Sequence, residues 1–403
     1  MPEAAPTHIV IGAGIVGAAI AHALQKRGAR VTLIERAEPG RGASYGNSGA
    51  LSPGSVAPLA MPGVLKTVPG MLLDPQGPLH VPPDYMFTAL PWLLRFVAAS
   101  TPERVAKISD ALAKLHAGAI DHHLALAREI GAPELIIQRG HLHMYPDQAA
   151  LAKDAAGWKL REQHGVKFER IDRAGILALE PQVGPRYQVA IHMPEQATVV
   201  NPFRYVTRIV AAFVANGGRV EQGEVQRLES SGAPGNSGWR CVGAARSWEA
   251  PQVVIAAGAW SLRLLEGIGM HVPLETQRGY HVTFKGVVAP ITRTVVLADR
   301  KAFLAPMEEG LRIGGTVEFG GLERLPDYRR ARLLAQFARE TFPGLDDARE
   351  DLWMGHRPCF PDTLPRVGPA PEHPGLWLAF GHGHLGLTDS VNTARLLAEI
   401  ITE

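Results

Sequence analysis

The chain has 403 residues, with 41 Lys or Arg against 39 Asp or Glu, and 46% of its residues are hydrophobic. This length predicts two or three domains with a sizeable core, and the hydrophobic share excludes a disordered scaffold. A formal net charge of +2 makes a general nucleic-acid-binding protein improbable, because such a protein would show a basic stripe. Cys241 and Cys359 form no CxxC pair, so a disulfide framework and a zinc ribbon are disfavoured and a reducing compartment is favoured.

No segment of the sequence has the pattern of a targeting or membrane-spanning element. The beginning, MPEAAPT, lacks the charged and apolar regions of a signal peptide. The apolar run at residues 86–99 is interrupted by Pro91 and Arg95 and is shorter than the roughly 20 residues that span a bilayer. We therefore expect a cytoplasmic protein, with peripheral attachment to the inner face of the membrane as the alternative. Residues 90–96 form either a core helix, which we favour, or that peripheral contact.

The first 36 residues predict a strand–helix–strand unit. Residues 8–11 (HIVI) form a short apolar strand, and residues 15–27 carry apolar side chains at helical spacing. Gly28 ends this helix, and residues 30–34 (RVTLI) form a second strand that leads into Glu35.

Further along the chain, residues 39–83 form a long irregular stretch that is dense in Gly, Pro and Ser, which predicts a functional or disordered loop. Helices are predicted at residues 102–130, 148–164, 202–216, 328–342 and 389–402. Strands are predicted at residues 140–146, 219–229, 252–257 and 375–380, with several short antiparallel strands between 271 and 317.

The nucleotide-binding pattern at the start of the chain returns near residue 255 and at the C-terminal end, so we predict two interleaved domains. The fold class is α/β (α+β), with a Rossmann-like nucleotide-binding domain and a mostly antiparallel-sheet substrate domain. The predicted nucleotide-binding domain comprises residues 1–85, 165–262 and 345–403. The predicted substrate domain comprises residues 86–164 and 263–344.

Residues 12–17 (Gly12, Ala13, Gly14, Ile15, Val16 and Gly17) form a GxGxxG sequence between the first strand and its helix. Gly12 permits the tight turn, Gly14 lets a pyrophosphate approach the backbone, and Gly17 allows close packing of helix and strand. The helix N-terminus supplies free N–H groups to the phosphates. Glu35 stands 18 residues after Gly17, where a carboxylate accepts hydrogen bonds from ribose hydroxyls.

The unit alone does not separate FAD from NAD. A motif that begins at residue 12 and a long Gly/Ser/Asn loop directly after the second strand favour FAD. Arg36 either faces a ribose 2′-phosphate, which Glu35 would repel, or is a solvated surface arginine, which we favour. An NAD-dependent dehydrogenase is the weaker alternative.

The loop at residues 40–63 (GRGASYGNSGALSPGSVAPLAMPG), together with the N-terminal unit, resembles the D-amino-acid oxidase superfamily of flavoproteins. Matches to its D-amino-acid dehydrogenase branch are ETQRGYHVTF (275–284), APMEEGLRIGGTVEFGGL (305–322), GHRPCFPDTLPRVGP (355–369) and AFGHGHLGLT (379–388). With LLDPQGPLHV (72–81) and LPWLLRF (90–96), the sequence is most similar to glyphosate-oxidoreductase-like members, which oxidise the C–N bond of glycine derivatives.

The resemblance implies a set of cofactor-binding residues beyond the GxGxxG turn, Glu35 and Arg36. Those near the flavin are Ser44, Asn47, Ser48, Gly49, Gly383, His384, Leu385, Gly386, Leu387 and Thr388. Val225 matches the strand beside the adenine, and Ala257 and Gly258 match the second nucleotide-domain turn. The C-terminal turn and helix start would stabilise negative charge on the reduced flavin through their free N–H groups.

The resemblance also implies substrate-side residues. Arg357 corresponds to the arginine that pairs with the substrate carboxylate, a task that suits a planar guanidinium with two parallel donors. Arg278, Tyr280 and His281 match the motif that lines the substrate side, with Arg278 as a second carboxylate candidate. His384 lines the flavin pocket.

FAD is expected to be noncovalent, because Cys359 does not match the position of the covalent cysteine and no histidine occurs in residues 44–49. Asp389 departs from the small residues of the family and is interpreted as the cap of the last helix. The HxH pairs at residues 141–143 and 382–384 lack a third ligand, so no metal site is predicted.

These observations predict an FAD-dependent dehydrogenase that oxidises the Cα–N bond of a D-amino acid or of an N-substituted or cyclic amino acid. A hydride passes from Cα to flavin N5, and water hydrolyses the imino acid to a 2-oxo acid. The electron acceptor is a quinone or another carrier. The alternatives are an oxidase of the sarcosine or glycine type, which uses oxygen, and a flavin-binding module without turnover.

Overall fold

A computed structural model describes residues 5–65, 70, 74, 77–231 and 238–403. Parts of the beginning MPEAAPT and of the motif at 72–81 lie outside the described residues. The strands are β1 (His8–Ile11), β2 (Val31–Glu35), β3 (Ala50–Leu51), β4 (Leu79–His80), β5 (Ile136–Ile137), β6 (His141–Tyr145), β7 (Glu169–Asp172), β8 (Val189–Met193), β9 (Ala197–Val199), β10 (Arg219–Gln222), β11 (Val225–Ser230), β12 (Trp239–Gly243), β13 (Ser247–Ala250), β14 (Gln252–Ile255), β15 (Glu275–Lys285), β16 (Thr294–Leu297), β17 (Ala302–Met307), β18 (Gly310–Phe319), β19 (Arg349–Cys359), β20 (Arg366–Pro369) and β21 (Leu376–Phe380).

The α-helices alternate with these strands along most of the chain. They are α1 (Ile15–Lys26), α2 (Met86–Ala98), α3 (Pro102–His116), α4 (Ala119–Glu129), α5 (Gln148–Lys153), α6 (Ala155–Gln163), α7 (Arg173–Leu179), α8 (Pro202–Ala215), α9 (Ser261–Glu266), α10 (Arg329–Thr341) and α11 (Gly386–Thr402).

Six strands form the nucleotide-binding sheet, in the order β10-β2-β1-β14-β21-β20. The first five are parallel and β20 is antiparallel to β21. All four residues of β1 are buried, and Ile9, Val10 and Ile11 are apolar, as expected for the interior of a parallel sheet that helices cover. Helices α1 and α11 pack together on this sheet, and α8 adds to the same core. The predicted strand–helix–strand unit and Rossmann-like domain are confirmed.

The larger sheet has nine strands, eight of them in the order β19-β15-β18-β17-β16-β6-β8-β7, with β4 beside β18. Most neighbours are antiparallel; β6 with β16 and β4 with β18 are parallel. Instead of several short strands after residue 271, β15 and β18 span 11 and 10 residues. Helix α10 covers one face of this sheet and closes a second core. The α/β (α+β) fold class with an antiparallel second sheet is confirmed.

The two sheets divide the chain differently from the predicted domain boundaries. Strands β7 and β8, within 165–262, and β19, within 345–403, belong to the larger sheet. Helices α3 and α4, within 86–164, pack against α11 of the nucleotide-binding layer. The interleaving is therefore finer than the sequence pattern indicates, because a hydrophobic period identifies an element but not the layer that covers it.

Three predicted elements are each two elements in the structure. The helix predicted at 148–164 is α5 (Gln148–Lys153) followed by α6 (Ala155–Gln163). The helix predicted at 102–130 ends at His116 and restarts at Ala119, because Gly118 adopts a left-handed φ of +68°. The strand predicted at 219–229 is β10 of the six-stranded sheet followed by β11 of a separate three-stranded sheet. The Gly223-Glu224 pair between them lets the chain leave one sheet for the other.

The interpretation of Asp389 as a helix cap is wrong. Helix α11 begins at Gly386, so Asp389 lies inside its first turn and is only 1% exposed. Its carboxylate Oδ1 is 3.1 Å from Nε2 of His116, which is 2% exposed. Asp389 therefore connects α11 to the end of α3.

Residues 90–96 belong to α2, which has one buried and one exposed side. Trp92 is buried, whereas Phe87 and Leu94 are 86% and 62% exposed. The favoured core-helix interpretation therefore holds for one side of α2 only. Among the described residues, no helix combines the length and the apolar character needed to cross a membrane.

The buried ion pair between Glu180 and Arg293 joins the end of α7 to the start of β16 in the larger sheet. The Glu180 side chain is completely buried, accepts from Nε of Arg293 at 2.9 Å and from the backbone N–H and hydroxyl of Thr292. We predict that Glu180→Gln destabilises the protein by about 3 kcal/mol, because breaking a buried pair leaves an uncompensated cation. Urea unfolding measures the change. The exposed pair of Glu195 with Lys167 supplies the control, and Glu195→Gln should leave the midpoint unchanged. Equal shifts for both variants would contradict the prediction.

Candidate active site

A cavity of about 1740 Å³ is lined by residues of both main sheets. This exceeds the ~300–1,000 Å³ of a typical small-molecule pocket, so a dinucleotide and a substrate fit together. The predicted site residues that line it are Gly12, Gly14, Ile15, Val16, Glu35, Arg36, Ser44, Asn47, Ser48, Val225, Ala257, Gly258, Tyr280, Arg357, Gly383, His384, Leu385, Gly386 and Leu387. The remaining predicted residues lie behind this lining: Ala13, Gly17, Gly49, Arg278, His281 and Thr388.

The glycine turn after β1 has no space for side chains. Gly12 has a φ of +100°, and a Cβ there would lie 2.6 Å from the carbonyl oxygen of Ala256. A Cβ on Gly17 would lie 1.9 Å from the carbonyl oxygen of Gly12. Ser44 Oγ accepts the N–H of Ile15 at 2.9 Å, which holds the later loop against the start of α1. The turn therefore presents a helix N-terminus to the cavity, as pyrophosphate binding requires.

The far end of the cavity has a carboxylate and a flat cationic surface. Glu35 Oε2 accepts the N–H of Ala13 at 2.7 Å, which fixes the carboxylate at the end of β2. The Arg36 guanidinium stacks on the ring of Trp260 at 3.8 Å and lies 3.6 Å from Glu224. Arg36 is exposed, with 38% of its side chain accessible, as the favoured interpretation of a solvated surface arginine predicts, and its stack on Trp260 also lines the cavity. It provides a surface on which a planar base can lie.

The loop at residues 44–49 is held by the larger sheet. Arg312 on β18 donates through Nη1 to the carbonyls of Tyr45 and Asn47 at 3.1 and 2.8 Å. Asn47 Oδ1 accepts the N–H of Gly49 at 2.8 Å. A Cβ on Gly314 would lie 2.4 Å from Ser48 Oγ, so the loop rests directly on the strand.

His281 supports this loop from behind the cavity lining. Its Nδ1 is 2.9 Å from the carbonyl oxygen of Gly46, and its ring stacks on Trp353 at 4.9 Å. Burial and then the charge of Arg312 hold the pKa of His281 well below its usual range. A neutral ring donates Nδ1–H to Gly46 and so fixes the loop.

Arg357 on β19 is the cationic group of the central cavity. Its Nη1 donates to the carbonyl of Thr316 at 2.8 Å and its Nη2 to that of Gly315 at 3.3 Å. Burial lowers the pKa of Arg357. Among the described residues, no carboxylate forms an ion pair with it, so its charge is uncompensated.

Two backbone features make room for this guanidinium. A Cβ on Gly279 would lie 2.1 Å from Arg357 Nη2, so only glycine fits beneath it. The register of β15 with β18 shifts near Arg278, and Thr316 adopts a strained φ of +59°. This irregularity accompanies two carbonyls that accept from Arg357, as bulges beside active sites commonly re-aim backbone groups.

The expectation that Arg278 lines the substrate side is wrong, whereas Tyr280 does border the cavity. Gln277 pairs directly with Arg357, so the next side chain, Arg278, points to the opposite face of β15. Arg278 is completely buried, with Nη1 3.6 Å from Glu318. Tyr280 borders the cavity, but its hydroxyl donates to Glu318 and accepts from the N–H of Asp327. Both residues therefore hold the segment that precedes α10, at Leu325 and Asp327, against the sheet.

The C-terminal turn brings His384 and the start of α11 to the cavity. Gly383 has a φ of +56°, and His384 faces the lumen. Desolvation within the cavity, and then the charge of Arg357, lower the pKa of His384 to about 4, so this ring, which is exposed to the lumen, is neutral at physiological pH. Thr388 accepts the N–H of Ser52 at 3.0 Å, which ties α11 to the residue directly after β3.

The sequence-based search missed Trp353, Thr316 and Arg312. Trp353 lies two strand positions before Gly355 and four before Arg357, so all three share one face of β19 and line the cavity. The alternation of side chains along β19, counted back in steps of two from Arg357, is the sequence signal that would have identified Trp353. Thr316 carries no such signal, because its exposure to the cavity depends on the local irregularity of β18.

Comparison with known proteins gives the family. The family described as FAD dependent oxidoreductase matches residues 8–400. The D-amino-acid oxidase of Bradyrhizobium diazoefficiens is 38% identical over 410 residues, covering 100% of this chain and 96% of that protein. D-amino acid dehydrogenase 2 of Ralstonia nicotianae is 33% identical over 422 residues, covering 97% of this chain and 95% of that protein.

Solved structures share the fold. Glycine oxidase from Geobacillus kaustophilus has a TM-score of 0.75 at 20% identity, covering 99% of this chain and 95% of that one. L-proline dehydrogenase from P. horikoshii has a TM-score of 0.74 at 19% identity, covering 100% and 94%. The glycine turn, the Arg36–Trp260 surface and the loop at 44–49 fit FAD in the same cavity. The chain belongs to the D-amino-acid oxidase family of FAD-dependent oxidoreductases.

Proposed function

We propose that the enzyme oxidises the Cα–N bond of a D-amino acid, or of an N-substituted or cyclic amino acid, to the corresponding imino acid. The observation that carries this proposal is the uncompensated charge of Arg357 inside the cofactor cavity. The names of the relatives that are 38% and 33% identical support D-amino acids as the substrates. The closer likeness to glyphosate-oxidoreductase-like proteins stays a prediction.

Arg357 suits the role of a carboxylate anchor. A guanidinium has five N–H donors, and the carbonyls of Gly315 and Thr316 occupy only part of that set. These backbone partners hold the guanidinium plane without neutralising it, so a substrate carboxylate supplies the missing negative charge. Two parallel hydrogen bonds would fix the orientation of the substrate Cα.

The surroundings of Arg357 favour an amine that binds uncharged. His384, with a pKa of about 4, is neutral and can accept a hydrogen bond from the amine. When bound, FAD supplies a two-electron acceptor for the Cα–H bond. The hydrogen on Cα leaves with its electron pair, the amine loses a proton, and the C=N bond forms. Water then hydrolyses the imino acid to a 2-oxo acid and ammonia, or to a 2-oxo acid and an amine where the nitrogen carries a substituent. A cyclic substrate leaves a cyclic imine.

We infer that a quinone or another carrier takes the electrons, as the dehydrogenase name of the Ralstonia relative supports. The oxidase name of the Bradyrhizobium relative favours oxygen as the alternative acceptor. Hydrogen peroxide formed in proportion to turnover identifies the oxidase.

An apolar surface beside the cavity supports a lipid-soluble acceptor. Leu65, Leu90 and Leu94 line the cavity and are 64%, 44% and 62% exposed. Exposed apolar clusters of this kind are typical of contacts with a partner or a membrane. A cytoplasmic location with peripheral contact at the inner face of the membrane stays a prediction.

The carboxylate anchor is tested by Arg357→Met. We expect KM for the amino acid to rise about 10- to 100-fold, because hydrogen bonds to a charged group contribute about 1.5–3 kcal/mol. The content of bound FAD should stay unchanged. Arg208→Met is the matched control, since Arg208 also donates to a backbone carbonyl, that of Gly131, outside the cavity. An unchanged KM in Arg357→Met would remove Arg357 from the substrate site.

Noncovalent binding of FAD is also a proposal. Cys241 and Cys359 are buried, and burial raises the pKa of each thiol to about 12. Protonated thiols are poor nucleophiles and do not attach to a flavin. Acid precipitation of the holoenzyme should therefore release the yellow colour into the supernatant. Colour that stays with the protein pellet would contradict this prediction.

A further inference from the structure

The cavity continues past Arg357 into a second region, which we call the distal lobe. It lies between the end of β6, helix α6 and the turn that joins β16 to β17. The side chains that define it are His143, Tyr145, Asp154, Trp158, Arg161 and Lys301. The proposed oxidation of an α-amino group does not use any of them.

Arg161 is the central group of this lobe. Its guanidinium lies over the ring of Trp158 at 4.7 Å, and Nη1 donates to the carbonyl of Gly157 at 3.0 Å. Among the described residues, no carboxylate forms an ion pair with Arg161. Burial lowers the pKa of Arg161, and the nearby charge of Asp154 acts in the opposite direction. Arg161 thus resembles Arg357 in two respects. Its guanidinium donates to a backbone carbonyl, and no described carboxylate forms an ion pair with it.

The carboxylate in the distal lobe, that of Asp154, already has interaction partners. Asp154 accepts from the hydroxyl of Tyr145 at 3.1 Å, and Lys301 Nζ lies 3.6 Å from the same carboxylate oxygen. Lys153 and Lys159 also line the cavity at this end and are exposed. The lobe therefore carries an excess of positive charge, which attracts an anionic group.

The sheet register sets the spacing between β6, which borders the distal lobe, and β18, whose carbonyls hold Arg357. Met144 pairs with Leu297 on β16, Leu297 pairs with Ala302 on β17, and β17 pairs with β18. Three strand steps therefore separate β6 from the β18 carbonyls that hold Arg357, a distance of about 14 Å. One extended molecule in this cavity can reach both cationic groups.

We propose that the distal lobe binds a second anionic group of the substrate, with Arg161 as its principal donor. The preferred substrates are then amines that carry an α-carboxylate at Arg357 and another acidic group at the far end of an extended chain. This inference rests on the proposed function and narrows its substrate class. Arg161 acts on specificity and takes no part in the oxidation.

Binding of unreactive diacids to the FAD-loaded enzyme tests this proposal without turnover. Succinate, adipate, suberate and sebacate are titrated against monoacids of equal length, from butanoate to decanoate, and the change in flavin absorbance gives each Kd. We expect the longer diacids to bind about 10-fold or more tightly than their matched monoacids, because a second carboxylate meets a charged donor. Diacids that bind no better than monoacids at any length overturn the proposal, whatever the variants do.

Substitutions of Arg161 test whether this residue causes the preference for diacids. Arg161→Met should abolish the diacid preference and leave monoacid binding unchanged, and Arg161→Lys should restore part of it. The unchanged monoacid binding shows that the variant is folded. Arg208→Met, outside the cavity, should keep the full preference. A preference that persists in Arg161→Met overturns the proposal. Monoacid binding that survives Arg357→Met contradicts the carboxylate anchor of the proposed function instead.

Discussion

Arg357 is held in the cavity by backbone groups alone, and this constraint shapes the strands around it. The carbonyls of Gly315 and Thr316 accept from the guanidinium, and Gly279 leaves the space in which it lies. A carboxylate in the same place would hold the side chain as well, but it would neutralise the charge. Backbone acceptors fix the plane of the guanidinium and keep its cation available to a ligand. The strained φ of Thr316 is the conformational cost of this arrangement.

The same sheet fixes the cofactor relative to that cation. Arg312 on β18 and His281 on β15 both hold the loop that follows β2 of the smaller sheet. Thr388 then ties α11 to Ser52, directly after the short strand β3 in which that loop ends. The glycine turn, the loop and the C-terminal helix start thus meet at one cavity, although they lie at opposite ends of the chain. This connectivity explains why the two sheets are interleaved in sequence.

The dinucleotide end of the cavity is predictable from sequence, because the conformations of Gly12 and Gly17 depend on close neighbours in the chain and on β14. The substrate end of the cavity is less predictable from the sequence. Arg278 and Arg357 stand in equally specific motifs, and only the pairing of Gln277 with Arg357 shows that the two arginines face opposite sides of the sheet. Arg161 has no sequence signal, since its importance comes from α6 packing beside β6 and the β16–β17 turn.

We propose above that the enzyme oxidises an amine whose carboxylate Arg357 holds beside the flavin. Anaerobic mixing of the holoenzyme with D-alanine, D-proline and sarcosine, each beside its carboxamide, tests it most directly through the visible flavin absorbance. The account predicts that at least one amino acid bleaches the flavin and that its carboxamide, which lacks the negative charge, does so far more slowly. Bleaching at equal rates by acid and amide, or by none of these and no other carboxylate-bearing amine, would contradict it.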